Sequence, residues 1–258
     1  MNAAAPLADD WEQHWANYHS AAQLNPAHKY RRKLIVGAVQ ASRSHGERGA
    51  DPLRIIDVGC GPGDVLCDLR RAFPYAELVG FDNSQGALSL AAARVTSLKV
   101  VRKDFSLPKM IPQDLTGWAT HVVCSEVLEH LDKPEIVVGE IKKALAPGGR
   151  AIITVPGGPR TAFDIHIGHR RHYTPASLRD LLAPAGFASL DIFAAGFPFF
   201  NLYRLAVLVS GRHVAHAVGS DDGVSGLATA GMGLFSELFR LNFDRSRFGW
   251  QIFAIASA

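Results

Sequence analysis

Short apolar runs alternate along the middle of this chain with longer stretches of helical periodicity. Ile55–Val58, Leu78–Phe81, Leu98–Val101 and His121–Ser125 read as strands, each giving way to a polar or glycine-bearing turn. A helical pattern from about Val65 to Ala72 separates the first two, and another covers about Ser84 to Arg94. Strands that feed into one another through helices pair in parallel and are buried on both faces, so they read as continuous apolar runs. Further on, Leu145–Arg150 reads as a helix end with a tight Pro-Gly turn, and Ala151–Val155 as a fifth strand. Leu178–Ala185 is then a helix stopped at Gly186, Ser189–Ala194 a sixth strand and Trp250–Ala256 the last.

The first strand breaks into Asp57-Val58-Gly59-Cys60-Gly61-Pro62-Gly63. Alternate glycines admit positive φ and remove the Cβ atoms that would keep a ligand off the main chain, and the next helix presents unpaired N–H groups. A dinucleotide loop sets its third glycine one residue later, as G-x-G-x-x-G. The G-x-G-x-G spacing here, with an acid two residues ahead, resembles the cofactor loop of class I S-adenosylmethionine-dependent methyltransferases. A plain strand-to-helix turn would use the same glycines. Asp82 closes the second strand, where an acid accepts the ribose hydroxyls of a nucleoside or caps the following helix. The third strand ends in Asp104-Phe105, and the fourth runs into Ser125-Glu126-Val127-Leu128-Glu129-His130.

That order of motifs, over roughly Leu53 to Pro156, is similar to the family's own. The resemblance implies S-adenosyl-L-methionine as cofactor. It assigns the methionine end to Asp57 and the bed of Gly59, Cys60, Gly61 and Gly63, the ribose to Asp82 with Asn83, the adenine to Asp104 and Phe105, and the border of the methyl group to Ser125 and Glu126. Cys60 itself reads as a small apolar packer. The implied fold is α/β, Rossmann-like and doubly wound. It has a seven-stranded mostly parallel sheet with an antiparallel last strand, N-terminal helices and a helical insertion before that strand. The chain then divides into leading helices (1–50), a cofactor half (51–156), an acceptor half (157–196), a helical cap (197–249) and the last strand (250–258).

Outside the cofactor half, chemistry concentrates in Asp164-Ile165-His166-Ile167-Gly168-His169-Arg170-Arg171-His172-Tyr173-Thr174-Pro175. In this fold the region after strand five commonly admits the acceptor. His169 and His130 are the candidate catalytic bases, because imidazole titrates near neutrality and can take a proton from an acceptor hydroxyl. His166, Arg170 and Tyr173 are candidate acceptor-binding residues, the arginine suited to a carboxylate or phosphate. The bland reading is that Thr174-Pro175 starts a helix and the histidines are structural. His166, His169 and His172 recur every third residue, but Gly168 and the loop context oppose the regular helix that would align them, so no metal is expected.

Composition narrows the partners. With 27 Lys and Arg against 24 Asp and Glu, a formal net charge of +3, there is no basic track for nucleic acid. Three cysteines without zinc spacing suit a reducing compartment. The start, Met1-Asn2-Ala3-Ala4-Ala5-Pro6 and then Asp9-Asp10, lacks the basic and apolar regions of a signal peptide, and a cytoplasmic protein is expected. Trp11, Trp15, Tyr18 and Leu24 line an amphipathic leading helix that would lie over the cofactor or dock onto the domain. A second starts at Asn25-Pro26, where Arg31 and Arg32 read as a solvated face or, either of them, as help in holding the methionine carboxylate. Between strands six and seven, an apolar helix over Phe197–Val218, a Gly/Ser-rich break over Gly219–Gly233 and a helix around Leu234–Asn242 are expected to form an acceptor cap, a homodimer surface or a peripheral membrane contact, without a membrane span.

The function expected is methyl transfer to a small-molecule acceptor, at oxygen by preference because of the histidines. A glycan or lipid-linked acceptor is the alternative within the class. An NAD-dependent oxidoreductase and a non-catalytic cofactor-binding protein are the alternatives outside it.

Overall fold

The computed structural model describes residues 11–12, 15, 25–44, 52–208 and 226–258. Its strands are β1 (Arg54–Val58), β2 (Glu77–Asp82), β3 (Leu98–Arg102), β4 (Ala119–Ser125), β5 (Leu145–Pro156), β6 (Ser189–Ala195) and β7 (Gln251–Ser257). They form one sheet in the order β3-β2-β1-β4-β5-β7-β6. β1 to β5 pair in parallel, and β7 inserts between β5 and β6, antiparallel to both. The strand order reverses at β1 and β4, and in an open parallel sheet such a reversal leaves a crevice at the carboxyl ends of the strands.

The helices are α1 (Pro26–Ser44), α2 (Asp64–Ala72), α3 (Gln85–Arg94), α4 (Pro134–Ala144), the short α5 (Ala162–His166), α6 (Pro175–Leu182), α7 (199–208) and α8 (Gly226–Leu238). Successive strand residues face opposite ways, so Ile55 and Ile56, both fully buried, belong to different apolar clusters. Ile55 packs with Ile35 and Val39 of α1, Leu66 and Leu69 of α2 and Leu88 of α3. Ile56 joins Val137 and Ile141 of α4 and Leu178 and Leu182 of α6. Each such buried aliphatic side chain contributes about 1.5–3 kcal/mol. Together the two clusters cover the sheet on both faces.

Several local expectations change. The Pro-Gly turn before β5 is an irregularity within a longer strand, and the β4–β5 register jumps from Ala119↔Leu145 to His121↔Arg150. Thr174 does cap α6, accepting from Ser177 N while Ser177 Oγ accepts from Thr174 N, with Pro175 in the first turn. That helix ends at Leu182, and Ala183–Ala185 tightens into a 3-10 turn. The Gly/Ser-rich break is shorter than its composition suggested. α8 already begins at Gly226, because Leu, Ala and Met between the glycines carry the helix. Tyr18, Leu24 and residues 209–225 of the expected helix and break lie outside the described residues.

Past α8, Phe239–Leu241 is a 3-10 turn. Phe200 and Tyr203 of α7, Phe235 of α8 and Phe239 of that turn pack around Tyr30 of α1. Asn201 ties α7 to the approach to β7, donating to Phe248 O at 2.7 Å and accepting from Trp250 N at 3.0 Å. The insertion is thereby fixed against the leading helix at the crevice. No helix among the described residues is long and apolar enough to cross a membrane.

Candidate functional site

The glycine loop turns directly at the end of β1. Gly59, Gly61 and Gly63 have φ of 73°, 50° and 83°. A Cβ on Gly59 would stand 2.3 Å from Val127 Cγ2, and one on Gly61 would stand 2.5 Å from Trp15 Cζ2. Asp82 knits this loop to the next unit: its Oδ2 accepts from Gly61 N at 2.8 Å and its Oδ1 from Ser84 N at 2.9 Å. Burial raises its pKa, and these backbone donors oppose the rise. Ser84 in turn caps α3 through Ala87 N. Cys60 is buried, its Sγ placed where a side chain on Gly80 would collide with it, which is the packing role read from the sequence.

Trp15 and Glu12 of the leading segment lie against this loop and the start of α3. The Trp15 ring covers Gly61, and Glu12 accepts from Ser84 Oγ, Gln85 N and Gly86 N at 2.9, 2.6 and 3.0 Å. Trp11 meets the His130 ring edge-on at 4.7 Å between centroids. Two cavities flank these tryptophans and share Gly59, Glu126 and His130 in their walls. One, of about 270 Å³, is lined by Asp57, Cys60, Ser125, His169, Arg204 and Gln251 among others. The second, of about 660 Å³, holds Asp82, Asn83, Asp104 and Phe105. Asp104 Oδ1 accepts from Ser106 N and Oγ, an Asx turn that fixes the end of β3. The proposed cofactor residues therefore divide as a nucleoside end and an amino-acid end, with Gly59 at the junction.

A test of fit lies in Asp57. Its Oδ2 is buried without a hydrogen-bond partner, and burial, then the neighbouring Asp82, push its pKa well up. A buried carboxylate oxygen without a donor is costly, and a ligand ammonium in the adjoining cavity would relieve it. The glycine bed, the orphaned Asp57 and the Asp82 strand end together fit S-adenosyl-L-methionine.

Where β4 ends, Glu126 takes a positive φ of 57°, unusual for a non-glycine residue. The strain is held by a closed set of contacts. Arg31 Nη2 pairs with Glu126 Oε2 at 3.0 Å, Arg31 Nε donates to Gln251 Oε1 at 3.1 Å, and Gln251 Nε2 donates to Glu126 Oε1 at 3.0 Å. Thr154 Oγ1 also donates to Glu126 Oε1 at 3.2 Å and lies 2.9 Å from Ser125 Oγ. α1, β4, β5 and β7 thus meet at one carboxylate.

The histidine segment folds back onto this point. Gly158 O can only accept, so at 3.1 Å it takes the proton of His172 Nδ1. His172 Nε2 then accepts from His169 Nδ1 at 3.1 Å, which leaves the lone pair of His169 on Nε2. This tautomer is assigned from the hydrogen-bond pattern. His169 Nε2 and His130 Nε2 both lie 4.0 Å from Glu129 Oε1, and the two rings meet edge-on at 4.7 Å. Burial holds the His169 pKa down to about 3 despite nearby Asp164, and burial also lowers that of His172. Asp164 accepts from Thr161 N at 2.9 Å and pairs with Arg204 at 3.3 Å. Glu129 is wholly buried with neither carboxylate oxygen hydrogen-bonded, and burial raises its pKa well above the usual carboxylate range.

Among the residues singled out from the sequence, His130 and His169 thus come together at the wall of the smaller cavity. His166 does not join them, being exposed one turn away on α5. Tyr173 is buried with its hydroxyl donating to Leu128 O at 3.2 Å, so it holds the segment after β4 instead of facing a ligand. Arg170 pairs with Asp132 at the rim of the larger cavity, and its N donates to Glu129 O at 2.8 Å. Glu129, Asp164, Arg204 and Gln251 were not singled out from the sequence. Their decisive partners lie far off in the chain, His169 for Glu129, Arg204 for Asp164 and Arg31 with Glu126 for Gln251.

Known proteins share the sequence pattern and the fold of this chain. Residues 27–192 match the family model described as a methyltransferase domain. The chain is 27% identical over 225 residues to the ubiquinone biosynthesis O-methyltransferase of Psychrobacter cryohalolentis, covering 78% of this chain and 86% of that protein. It is 32% identical over 103 residues to the trans-aconitate 2-methyltransferase of Variovorax paradoxus, covering 40% and 38%. Its fold matches that of a SAM-dependent methyltransferase of Thermotoga maritima with a TM-score of 0.59 at 14% identity, over 96% of this chain and 98% of the other. Seven strands in the order seen here, a glycine bed at the switch point and a family match over more than half the chain lead to one assignment: the chain belongs to the methyltransferase-domain family and is a class I S-adenosylmethionine-dependent methyltransferase.

Proposed function

We propose that this enzyme transfers the cofactor's methyl group to an oxygen atom of a small acceptor seated in the cavity between Glu126, His169 and α7. The observation that supports oxygen is the proton order of the histidine chain, which presents the His169 Nε2 lone pair beside His130 at the cavity wall. An acceptor hydroxyl must lose its proton as it is methylated, and a fixed lone pair assists that loss. The name of the O-methyltransferase relative from Psychrobacter cryohalolentis is in keeping with the same acceptor atom.

The bound cofactor supplies a methyl group on a positive sulfur. The protein's share is alignment and exclusion of water. Asp57 receives the cofactor's ammonium, Asp82 and Asn83 the ribose, and Asp104 and Phe105 the adenine. Arg31, fixed on Glu126 and Gln251, stands at the amino-acid end. Phe200, Tyr203 and Leu208 of α7 close the acceptor cavity with apolar surface.

The test is product analysis after incubation with labelled S-adenosylmethionine and a panel of small phenols, carboxylic acids and amines. Label in an ether or ester supports the proposal. Label recovered on nitrogen alone overturns it.

A further inference from the structure

We propose that Glu129, His130 and His169 form a binding site for one divalent transition-metal ion at the wall of the acceptor cavity. This rests on the reading of that wall as the place where the acceptor's proton is lost, and deepens it: the His169 Nε2 lone pair serves the proton's loss by holding the ion and not by taking the proton itself. One donor atom from each of the three residues lies within 4.8 Å of the others, and both Nε2 atoms point at the same Glu129 oxygen from 4.0 Å. Ligands about 2.1 Å from a four-coordinate ion stand about 3.4 Å apart, so small side-chain rotations close this set around an ion.

The second observation is Glu129 itself: a carboxylate with 0% exposure and no hydrogen bond to either oxygen. The nearby arginines are already matched elsewhere, Arg31 by Glu126 at 3.0 Å and Arg204 by Asp164 at 3.3 Å. What would satisfy Glu129 is a cation between the two imidazoles. The chain from His169 Nδ1 through His172 to Gly158 O is the support a ligating histidine ordinarily has, because it fixes the ring and the tautomer. The neighbouring set Asp164, His169 and His172 is less suited, since Asp164 carries Arg204 and His172 Nε2 already receives a proton. Two imidazoles with one carboxylate favour zinc, iron or cobalt over magnesium or calcium.

Such an ion would bind the acceptor hydroxyl and lower its pKa, as zinc does for water. The O–H bond breaks and its proton passes to solvent. The oxygen then forms a bond to the methyl carbon as the carbon–sulfur bond breaks, leaving the electron pair on sulfur. No oxidant or reductant is needed.

The experiment is a Co2+ titration of untagged, chelator-stripped protein followed by visible absorption, with S-adenosylhomocysteine binding measured in the same preparations. One Co2+ per chain with the bands of four- or five-coordinate nitrogen and oxygen ligation is expected. Glu129→Gln and His169→Gln should each weaken uptake at least tenfold, and His166→Gln, on the exposed histidine, should leave it unchanged. If a variant fails to fold, the wild-type spectrum decides, and bands of hydrated Co2+ alone overturn the site. Unchanged uptake in a folded Glu129→Gln, or uptake lost with His166→Gln, also overturns it. Absent uptake in protein that binds S-adenosylhomocysteine rejects the ion site alone. Specific uptake without S-adenosylhomocysteine binding supports the ion site and rejects the cofactor geometry.

Discussion

Arg31 of the leading helix and Glu126 at the end of β4 form a 3.0 Å ion pair whose side chains are 13% and 19% exposed, with Gln251 bonded to both. Two distant elements are joined at a charge that neither could bury alone. Removing one member of a buried pair leaves the other unpaired, and Arg31→Met should cost about 3 kcal/mol. For a chain of this size that lowers Tm by about 6–12 °C. The double variant Arg31→Met with Glu126→Gln should regain most of the loss in a thermal melt.

Asp82 carries both a loop and a proposed ribose contact. Asp82→Ala strips Gly61 N and Ser84 N of their acceptor, so it should destabilise by about 1–3 kcal/mol. Calorimetry should also show affinity for S-adenosylhomocysteine reduced at least about tenfold, or 1.4 kcal/mol. Full affinity would remove the ribose assignment.

His169→Gln separates binding from turnover. Its side chain lines the smaller cavity and not the larger one that holds Asp82 and Asp104, so under the proposed assignment affinity for S-adenosylhomocysteine should change little. Turnover on an oxygen acceptor should fall by about 10²–10⁴. Retained turnover would make the histidine chain a packing device.

The same residue has a stability signature. Its pKa lies near 3 in the fold, against about 6.5 in the unfolded chain. Between those values the unfolded state binds more protons, so this residue's contribution makes stability rise with pH from 3 to 6.5, by up to about 1.4 kcal/mol per pH unit. Denaturant melts of His169→Gln across that window should show a shallower dependence than wild type. An identical slope would contradict the buried, neutral ring.

Gly59 is constrained twice, by its φ of 73° and by Val127 Cγ2 at 2.3 Å from any added Cβ. Gly59→Ala should lose about 1–2 kcal/mol from the backbone alone, with the clash added. Val127→Ala placed behind it should relieve the clash and leave the backbone share, which chemical denaturation would resolve.

The cofactor half was legible because its signals are local. Ile55-Ile56-Asp57-Val58 is one strand, and the glycines after it sit in the turn that their spacing demanded. Asp82 and Asp104 fall at strand ends, where an acid is informative without knowledge of its partner. The histidine cluster obeys no such rule. His169 meets Glu129, 40 residues earlier, and Asp164 meets Arg204, 40 residues later, because β4, β5 and α7 converge in space. His166 and Tyr173 lay in the right segment, but the α5 turn and the α6 cap rotate one outward and bury the other. Glycines at 226, 231 and 233 suggested a break where the aromatic cluster on Tyr30 stabilises a helix end.

Gln251 stands on the strand that comes last in chain order, and that strand must enter between two others already made. During synthesis Arg31 and Glu126 therefore wait for their shared partner until β7 is available. A chain halted before that point leaves β5 without its outer neighbour and the Arg31–Glu126 pair without Gln251. The three-way contact of Arg31, Glu126 and Gln251 is thereby complete only when the sheet is.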